Sequence, residues 1–297
     1  MRVAVTGANS AIGQAILGMS GDADDIFFVA AVRSERAANQ LPFLSDKGCI
    51  AHVSYSDSGS LSAAFEGVDA IIHLPGVLFE RPGSTYETVN VETTRAVIEV
   101  AREQGVRKLV LVSSVGAKEG SSNRYYHTKG QAEELVRNSG LHHTILRVPL
   151  LLGSGTEGSA ALRRYLDRSV IWLVGGGRHL DQPLDVQDVA QVVCRACHQK
   201  AILNCTLELA GSQAVPYRKI LERAAELAGC RIRIISLPMG LVRALLAVRQ
   251  RLARTGFSTD ILDVITADTD LDSNSVASEL GIELTSMDEM IKNSLEE

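Results

Sequence analysis

Short β-branched and apolar runs alternate with segments of helical period through the first half of the chain. The runs are VAVT (3–6), FFVAAV (27–32), CIAHV (49–53), AIIHL (70–74), KLVLVS (108–113) and TILRV (144–148). Strands apolar on both sides, each followed by a helix-length segment, predict a parallel sheet covered on both faces. The expected fold class is α/β, a doubly wound parallel sheet over residues 1–154 with a returning segment around 181–211. Beyond GSGTEGS (153–159) the alternation loosens. Helices over 217–228 and 239–254, with shorter strands near 207–210 and 231–235, predict a smaller α+β C-terminal lobe over 155–297.

The first strand runs into VAVTGANSAIGQAIL (3–17), where Gly7 and Gly13 bound a G-x-x-x-x-x-G turn that opens the first helix. Gly7 permits the tight turn and Gly13 lets the helix approach the strand. The helix N-terminus offers unpaired N–H groups and a partial positive charge, so Asn9, Ser10, Ala11 and Ile12 become candidate pyrophosphate ligands. Ser10 stands where the fingerprint has its middle glycine, and its hydroxyl can donate to a phosphate. The second strand ends AAVRSER (30–36), with Arg33 first. A guanidinium suits a 2′-phosphate and an acid repels one, so NADP(H) is favoured over NAD(H). The other reading has Arg33 solvated and Glu35 contacting the sugar.

In SSNRYYHTKGQAEELV (121–136) a helix starting near Arg124 places Tyr125 and Lys129 four apart on one face, and Tyr126 has no lysine at that spacing. An ammonium beside a phenol favours phenolate, which would make Tyr125 a general acid or base and leave Tyr126 to pack. Ser114 closes the fifth apolar strand eleven residues upstream of Tyr125. Strand C-termini are where ligands sit in open parallel sheets, so its hydroxyl can donate to a substrate oxygen. The plainer reading is an amphipathic helix with two unrelated residues.

Composition narrows the function classes. The 297 residues are 45% hydrophobic and carry a formal net charge of −5, and no run of lysine or arginine offers the stripe that nucleic acid requires. No stretch approaches about 18 uninterrupted apolar residues and no secretory pattern opens the chain, so a cytoplasmic protein is expected. Five cysteines, Cys49, Cys194, Cys197, Cys205 and Cys230, form no disulfide framework. CRACH (194–198) matches the spacing of covalent haem attachment. The helical period of DVAQVVCRACHQ, opened by Asp188, instead predicts Cys194 and Cys197 on one buried face.

MGLVRALLAVRQRLAR (239–254) carries Arg243, Arg249, Arg251 and Arg254 with no acid, beside Leu241, Val242, Leu245, Leu246 and Leu252. Such a helix can lie on an anionic membrane, dock on a partner protein, or serve as a lobe helix with solvated arginines.

The motifs VTGANSAIG (5–13), YSDSGSLSAAFEGVDAIIHLPG (55–76), VNVETTRAVIEVAREQGVRKLVLVSSVGA (89–117), YYHTKGQAEELV (125–136) and LRVPLLLG (146–153) resemble the short-chain dehydrogenase/reductase superfamily, an NAD(P)-binding Rossmann group with epimerase and dehydratase branches. The resemblance implies Tyr125 as acid/base, Lys129 as ribose ligand and tuner of Tyr125, and Ser114 as substrate-orienting hydroxyl. For the cofactor it implies Asp57 and Ser58 near the adenine, Leu74, Pro75 and Gly76 beside the ribose, Asn90 behind the site, and Val148, Pro149 and Leu150 near the nicotinamide. Each has a structural alternative: Asp57 a helix cap, Asn90 a core amide, Pro149 a strand end.

LDQPLDVQDVAQVV (180–193) and TADTDLDSNSVASELGI (266–282) resemble the atypical branch that holds the complex I nucleotide-binding accessory subunit and NmrA-like proteins. An NADP(H)-dependent oxidoreductase acting on a small carbonyl or hydroxyl substrate is therefore expected. The alternatives are a non-catalytic NADP(H)-binding sensor, assembly factor or accessory subunit, and third an epimerase or dehydratase with tightly held cofactor.

Overall fold

The computed structural model describes residues 1–19, 26–42, 44, 47–198, 203–252 and 257–296, with the side chains of 250–252 excepted. The chain forms two compact units. The first takes in 1–77, 84–147 and 189–207, and the second 78–83, 148–188 and 208–297.

The first unit alternates strand and helix as the apolar runs predict. In order come β1 (Arg2–Thr6), α1 (Ala11–Gly18), β2 (Phe27–Val32), α2 (Glu35–Ala38), β3 (Gly48–His52), α3 (Ser58–Phe65) and β4 (Ala70–His73). A π-helix (Glu87–Glu92) then runs directly into α4 (Thr93–Glu103), followed by β5 (Lys108–Ser114), α5 (Arg124–Arg137) and β6 (His142–Val148). Next are β7 (Leu151–Leu152), α6 (Glu157–Leu166), β8 (Val170–Val174), β9 (Leu180–Asp181), β10 (Leu184–Asp185), α7 (Val186–His198) and β11 (Cys205–Glu208). The chain closes with β12 (Val215–Pro216), α8 (Tyr217–Leu227), β13 (Arg233–Leu237), α9 (Met239–Leu252), α10 (Thr259–Ile265), α11 (Ser273–Leu280) and α12 (Met287–Leu295).

Seven strands make the central sheet, in the order β11-β6-β5-β4-β1-β2-β3. β1 pairs in parallel with β2 on one side and β4 on the other, and β2–β3 and β4–β5 are parallel too. Strand order therefore reverses between β1 and β4, the point in a doubly wound sheet where a crevice opens beyond the carboxyl ends. Apolar side chains of the sheet and of α3, α4 and α5 pack into a buried cluster: Ala4, Val29, Leu61, Phe65, Ile71, Val97, Leu109, Leu111, Val136 and Ile145. The second unit has a core of its own, built from Leu162, Ile171, Leu173, Ile220, Leu221, Ala224 and Ile291.

Three details differ from the sequence reading. The first unit's main run ends at Arg147 rather than near 154, residues 148–188 fall in the second unit, and the segment that returns to the first is 189–207. The strand expected near 207–210 begins at Cys205 and ends at Glu208, and it adds to the edge of the central sheet within the expected returning segment. α7 starts at Val186, before Asp188, and Asp185 accepts from the Gln187 amide at 2.8 Å. Within the expected returning segment, residues 199–202 lie outside the described residues, as does Arg254 of the basic helix.

Candidate active site

The turn after β1 is shaped as its glycines require. Gly7 has φ +73°, and a Cβ there would sit 2.9 Å from the Leu74 carbonyl oxygen. A Cβ on Gly13 would fall 2.4 Å from the Ala8 carbonyl oxygen, so only glycine lets α1 lie this close to the turn. Ser10 caps α1, its hydroxyl accepting from Gly13 N at 3.1 Å while its carbonyl accepts from Gln14 N. As an acceptor there, the Ser10 hydroxyl keeps its proton to donate. The Ala11 and Ile12 amides belong to the first turn, where no intrahelical acceptor exists. Asn9 Nδ2 donates to Gln40 Oε1 at 3.2 Å.

Across the reversal point Leu74 N donates to the Thr6 carbonyl at 3.2 Å, which holds Leu74, Pro75 and Gly76 beside the turn. The Pro75 carbonyl accepts from Lys129 Nζ at 2.6 Å, and Val112 O lies 3.5 Å from the same amine. Lys129 is only 5% exposed. Desolvation lowers its pKa to about 8, and the carboxylate of Glu133, one helical turn on, works against that fall. Glu133 is fully buried: Arg147 donates to both its oxygens at 2.8 and 2.7 Å, and Arg137 adds a third bond at 2.7 Å. Burial would raise this carboxyl, yet these donors hold it below the ordinary carboxylate range.

α5 begins where the Asn123 side chain accepts from the amides of Tyr125 and Tyr126. The short connector after β5 folds back over the helix. Lys118 N donates to the Tyr126 carbonyl, Gly120 N donates to His127 Nδ1, and a Cβ on Gly130 would strike Glu119 N. Tyr126 lies flat against Gly116, where a Cβ would meet its ring at 2.9 Å, and so packs as expected. Tyr125 stands edge-on to Tyr126 at 5.7 Å and to buried Tyr86 at 5.6 Å between ring centroids.

Ser114 Oγ donates to the Val115 carbonyl at 3.1 Å, and the same side chain lies near enough to Tyr125 to lower the phenol's pKa. Burial is the larger effect and leaves the phenol above its ordinary value. The hydrogen bonds of the Lys129 amine run to the Pro75 carbonyl at 2.6 Å and toward Val112 O at 3.5 Å.

Asn90 sits in the π-helix, a distortion that frequently marks functional sites. Its Nδ2 donates to Thr128 Oγ1 at 3.0 Å, and its Oδ1 is buried with no hydrogen-bond partner. Thr128 Oγ1 in turn lies within 3.1 Å of the Arg124 and Tyr125 carbonyls.

One residue of this neighbourhood was not singled out from the sequence. His73, at the end of β4, is fully buried between Thr6 Oγ1 at 2.6 Å and Thr94 Oγ1 at 3.1 Å. Thr94 donates to the Asn90 carbonyl, so Nε2 of His73 carries the ring proton and Nδ1 accepts from Thr6. Burial foremost, with the Lys129 charge behind it, lowers the His73 pKa to about 3. The available signal was a histidine inside an otherwise apolar strand, since a buried polar residue is the informative exception.

Arg33 is exposed at the end of β2; burial raises the nearby Tyr55 phenol, and Thr6 and the Arg33 charge work against that rise. Glu35 faces His52 at 3.3 Å. Asp57 caps α3, accepting from Gly59 N at 3.0 Å, with Ser58 exposed beside it. Val148, Pro149 and Leu150 belong to the second unit, where the Leu150 carbonyl accepts from Leu184 N. Cys194 and Cys197 are buried one turn apart on α7, and burial raises both thiols, Cys194 to about 12. That is a core face and not a haem attachment site.

The site fits a dinucleotide in its chemistry. It joins a glycine cradle and a helix N-terminus for the pyrophosphate, a buried amine beside Gly76, and an unpartnered amide oxygen on Asn90. A family model described as NAD(P)H-binding matches residues 7–200. The chain belongs to that NAD(P)H-binding family.

This NAD(P)H-binding protein is 25% identical over 260 residues to NADH dehydrogenase [ubiquinone] 1 alpha subcomplex subunit 9, mitochondrial, of Arabidopsis thaliana, covering 82% of the chain and 64% of that protein. It is 27% identical over 179 residues to ceramide reductase of Caulobacter vibrioides, covering 60% and 56%. The chain thus spans less than two thirds of either relative. Its fold matches the triphenylmethane reductase of Citrobacter sp. complexed with NADP(H), with a TM-score of 0.76 at 19% identity over 99% of this chain and 100% of that one.

Proposed function

We propose that this protein is an NADP(H)-dependent oxidoreductase that interconverts a small carbonyl compound and its alcohol. The reading is supported by Ser114 at the end of β5, near enough to Tyr125 to act on its phenol, and by the buried Lys129 amine held at the Pro75 carbonyl beside Gly76. The bound coenzyme supplies the hydride. The protein supplies position and the proton: Tyr125 holds the proton to be given to the substrate oxygen, Ser114 donates a hydrogen bond to that oxygen, and Lys129 holds the ribose. A phenol kept above its ordinary pKa is protonated at neutral pH, which suits the acid of a carbonyl reduction. Arg33 supports the choice of NADP(H), because Glu35 is engaged with His52 and Arg33 stands free for a 2′-phosphate. Five free cysteines support a cytoplasmic setting. Among the described residues no helix is long and apolar enough to cross a membrane.

The test is a titration with NADPH and NADH, followed by a screen of aldehydes, ketones and quinones for coenzyme oxidation. Tyr125→Phe should lower turnover by about 10²–10⁴-fold and leave NADPH affinity in place; unchanged turnover rejects the role.

A second reading, a non-catalytic NADP(H)-binding accessory subunit or assembly factor, is favoured by the balance at Tyr125. Burial raises its pKa, and one relative is named as a subunit of a mitochondrial NADH dehydrogenase. It predicts tight NADPH binding with no substrate-dependent oxidation across the screen.

A further inference from the structure

The second unit turns an apolar stripe outward on α9. Leu241, Leu245 and Val248 follow i, i+4, i+7 spacing on one face, and are 54%, 62% and 60% exposed. Leu246, away from that face, is buried and anchors the helix. Single exposed leucines are ordinary, but three large aliphatic side chains in register on one helix form a surface.

The sequence around the stripe is basic. From Leu227 to Thr259 the sequence holds Arg231, Arg233, Arg243, Arg249, Arg251 and Arg254 and no Asp or Glu, within a chain whose net charge is −5. Arg249 lies on the flank of the stripe and is exposed, while Arg243 lies on the far side and pairs with Asp263 of α10 at 2.6 Å.

A second element of the same unit extends the pattern. β13 runs through Pro238 into α9 and pairs in parallel with β8, matching Ile235 to Trp172 and Arg233 to Val170. Ile171 and Leu173 are buried in the unit's core, so alternation turns Val170 and Trp172 outward. Trp172, the chain's one tryptophan, is 56% exposed. An exposed indole beside arginines and aliphatic side chains is the composition that settles at the boundary between lipid headgroups and acyl chains.

We propose that α9, together with the outer face of the β8–β13 ribbon, seats the second unit on an anionic phospholipid surface. The leucines enter the headgroup boundary, and Arg249, Arg231 and Arg233 meet the headgroup phosphates. Charge selects this occupant over a second copy of the chain. A symmetric pairing through the stripe would set the exposed arginines of one copy against those of the other, and Asp263, the acid beside α9, is already engaged by Arg243.

Full-length protein is spun with vesicles of phosphatidylcholine alone or mixed with phosphatidylglycerol, at low and high salt, while Trp172 emission is recorded. The expected result is co-sedimentation with the mixed vesicles at low salt, weakening with added salt, accompanied by a blue shift of the emission. The double variant Leu241→Asp/Leu245→Asp, at exposed positions that leave the core intact, should bind at least tenfold more weakly with an unchanged circular dichroism spectrum.

No binding to the mixed vesicles at low salt overturns the proposal, as does equal binding by the double variant. Binding without an emission shift removes the ribbon from the surface. A dimer in light scattering that the double variant dissolves would assign the stripe to contact between copies.

Discussion

Lys129 Nζ donates to the Pro75 carbonyl at 2.6 Å, joining the second turn of α5 to the place where β1 and β4 end. The bond orients an amine that burial disfavours, and the pKa of about 8 measures that conflict. A base whose folded pKa is depressed costs stability while the folded state must carry its proton. Between about 8 and the unfolded value of 10.5 the unfolded chain binds more protons, so stability rises with pH across that window, by up to ~3 kcal/mol. Urea unfolding at a series of pH values should reveal this rise in the wild type. Lys129→Met should flatten it and weaken NADPH binding by about tenfold or more; a variant with an unaltered slope would show that another group titrates there.

Gly13 separates α1 from the turn by the width of a missing methyl group. Gly13→Ala places a Cβ 2.4 Å from a backbone oxygen that has no rotamer to yield with. The helix must shift, which costs about 1–3 kcal/mol and moves the phosphate-facing amides. Gly18→Ala, at the other end of α1, meets nothing within 4 Å and should be neutral or stabilising by ~0.4–1 kcal/mol. Denaturation midpoints and NADPH dissociation constants of both variants check the pair. Only the first should lose the coenzyme.

The sequence made local chemistry readable and long-range pairing unreadable. The glycine turn, the six strands of the first half and the i, i+4 placement of Tyr125 and Lys129 rest on short spacings, which a single chain displays directly. His73 escaped notice because its partners Thr6 and Thr94 come from β1 and α4, 67 and 21 residues away, and only sheet register brings them together. The π-helix is equally hidden. Its apolar period differs little from that of α4, with which it is continuous. The partners of the Lys129 amine are hidden for a related reason: the helical spacing puts the lysine on the face of Tyr125, while the carbonyls that receive its hydrogen bonds, Pro75 and Val112, come from two other segments.

Arg33 is the residue on which coenzyme choice should turn. It stands exposed at the end of β2, and the neighbouring carboxylate of Glu35 lies against His52. Arg33→Ala should weaken NADPH binding by about tenfold or more, the loss of one charge-assisted phosphate contact, and leave NADH nearly unaffected. Dissociation constants for both coenzymes decide it. A parallel loss for both would mean that Arg33 acts on the turn and not on the 2′-phosphate.

His73 gives the fold a liability in acid. Its imidazole accepts from Thr6 and donates to Thr94 in full burial, and only the neutral ring can do both. The folded pKa of about 3 lies below the unfolded value of 6.5, so as pH falls between them the unfolded chain takes up a proton that the folded chain refuses. Stability contributed by the neutral ring is whole above 6.5 and shrinks toward 3, by up to ~5 kcal/mol. Asp69 and Glu133, both held below their ordinary values, lose stability in the same direction, so the wild-type slope alone does not isolate the histidine. His73→Asn does, because an amide offers a donor and an acceptor and does not titrate. The variant should be less stable at neutral pH by about 1–3 kcal/mol, from imperfect bonds to the two threonines. It should lose less than the wild type on acidification, so the two stability curves converge as the pH drops. Curves that stay parallel down to the pH of unfolding would reject the assignment, and an imidazole resonance of His73 titrating near 6.5 in the folded protein would reject the burial argument beneath it.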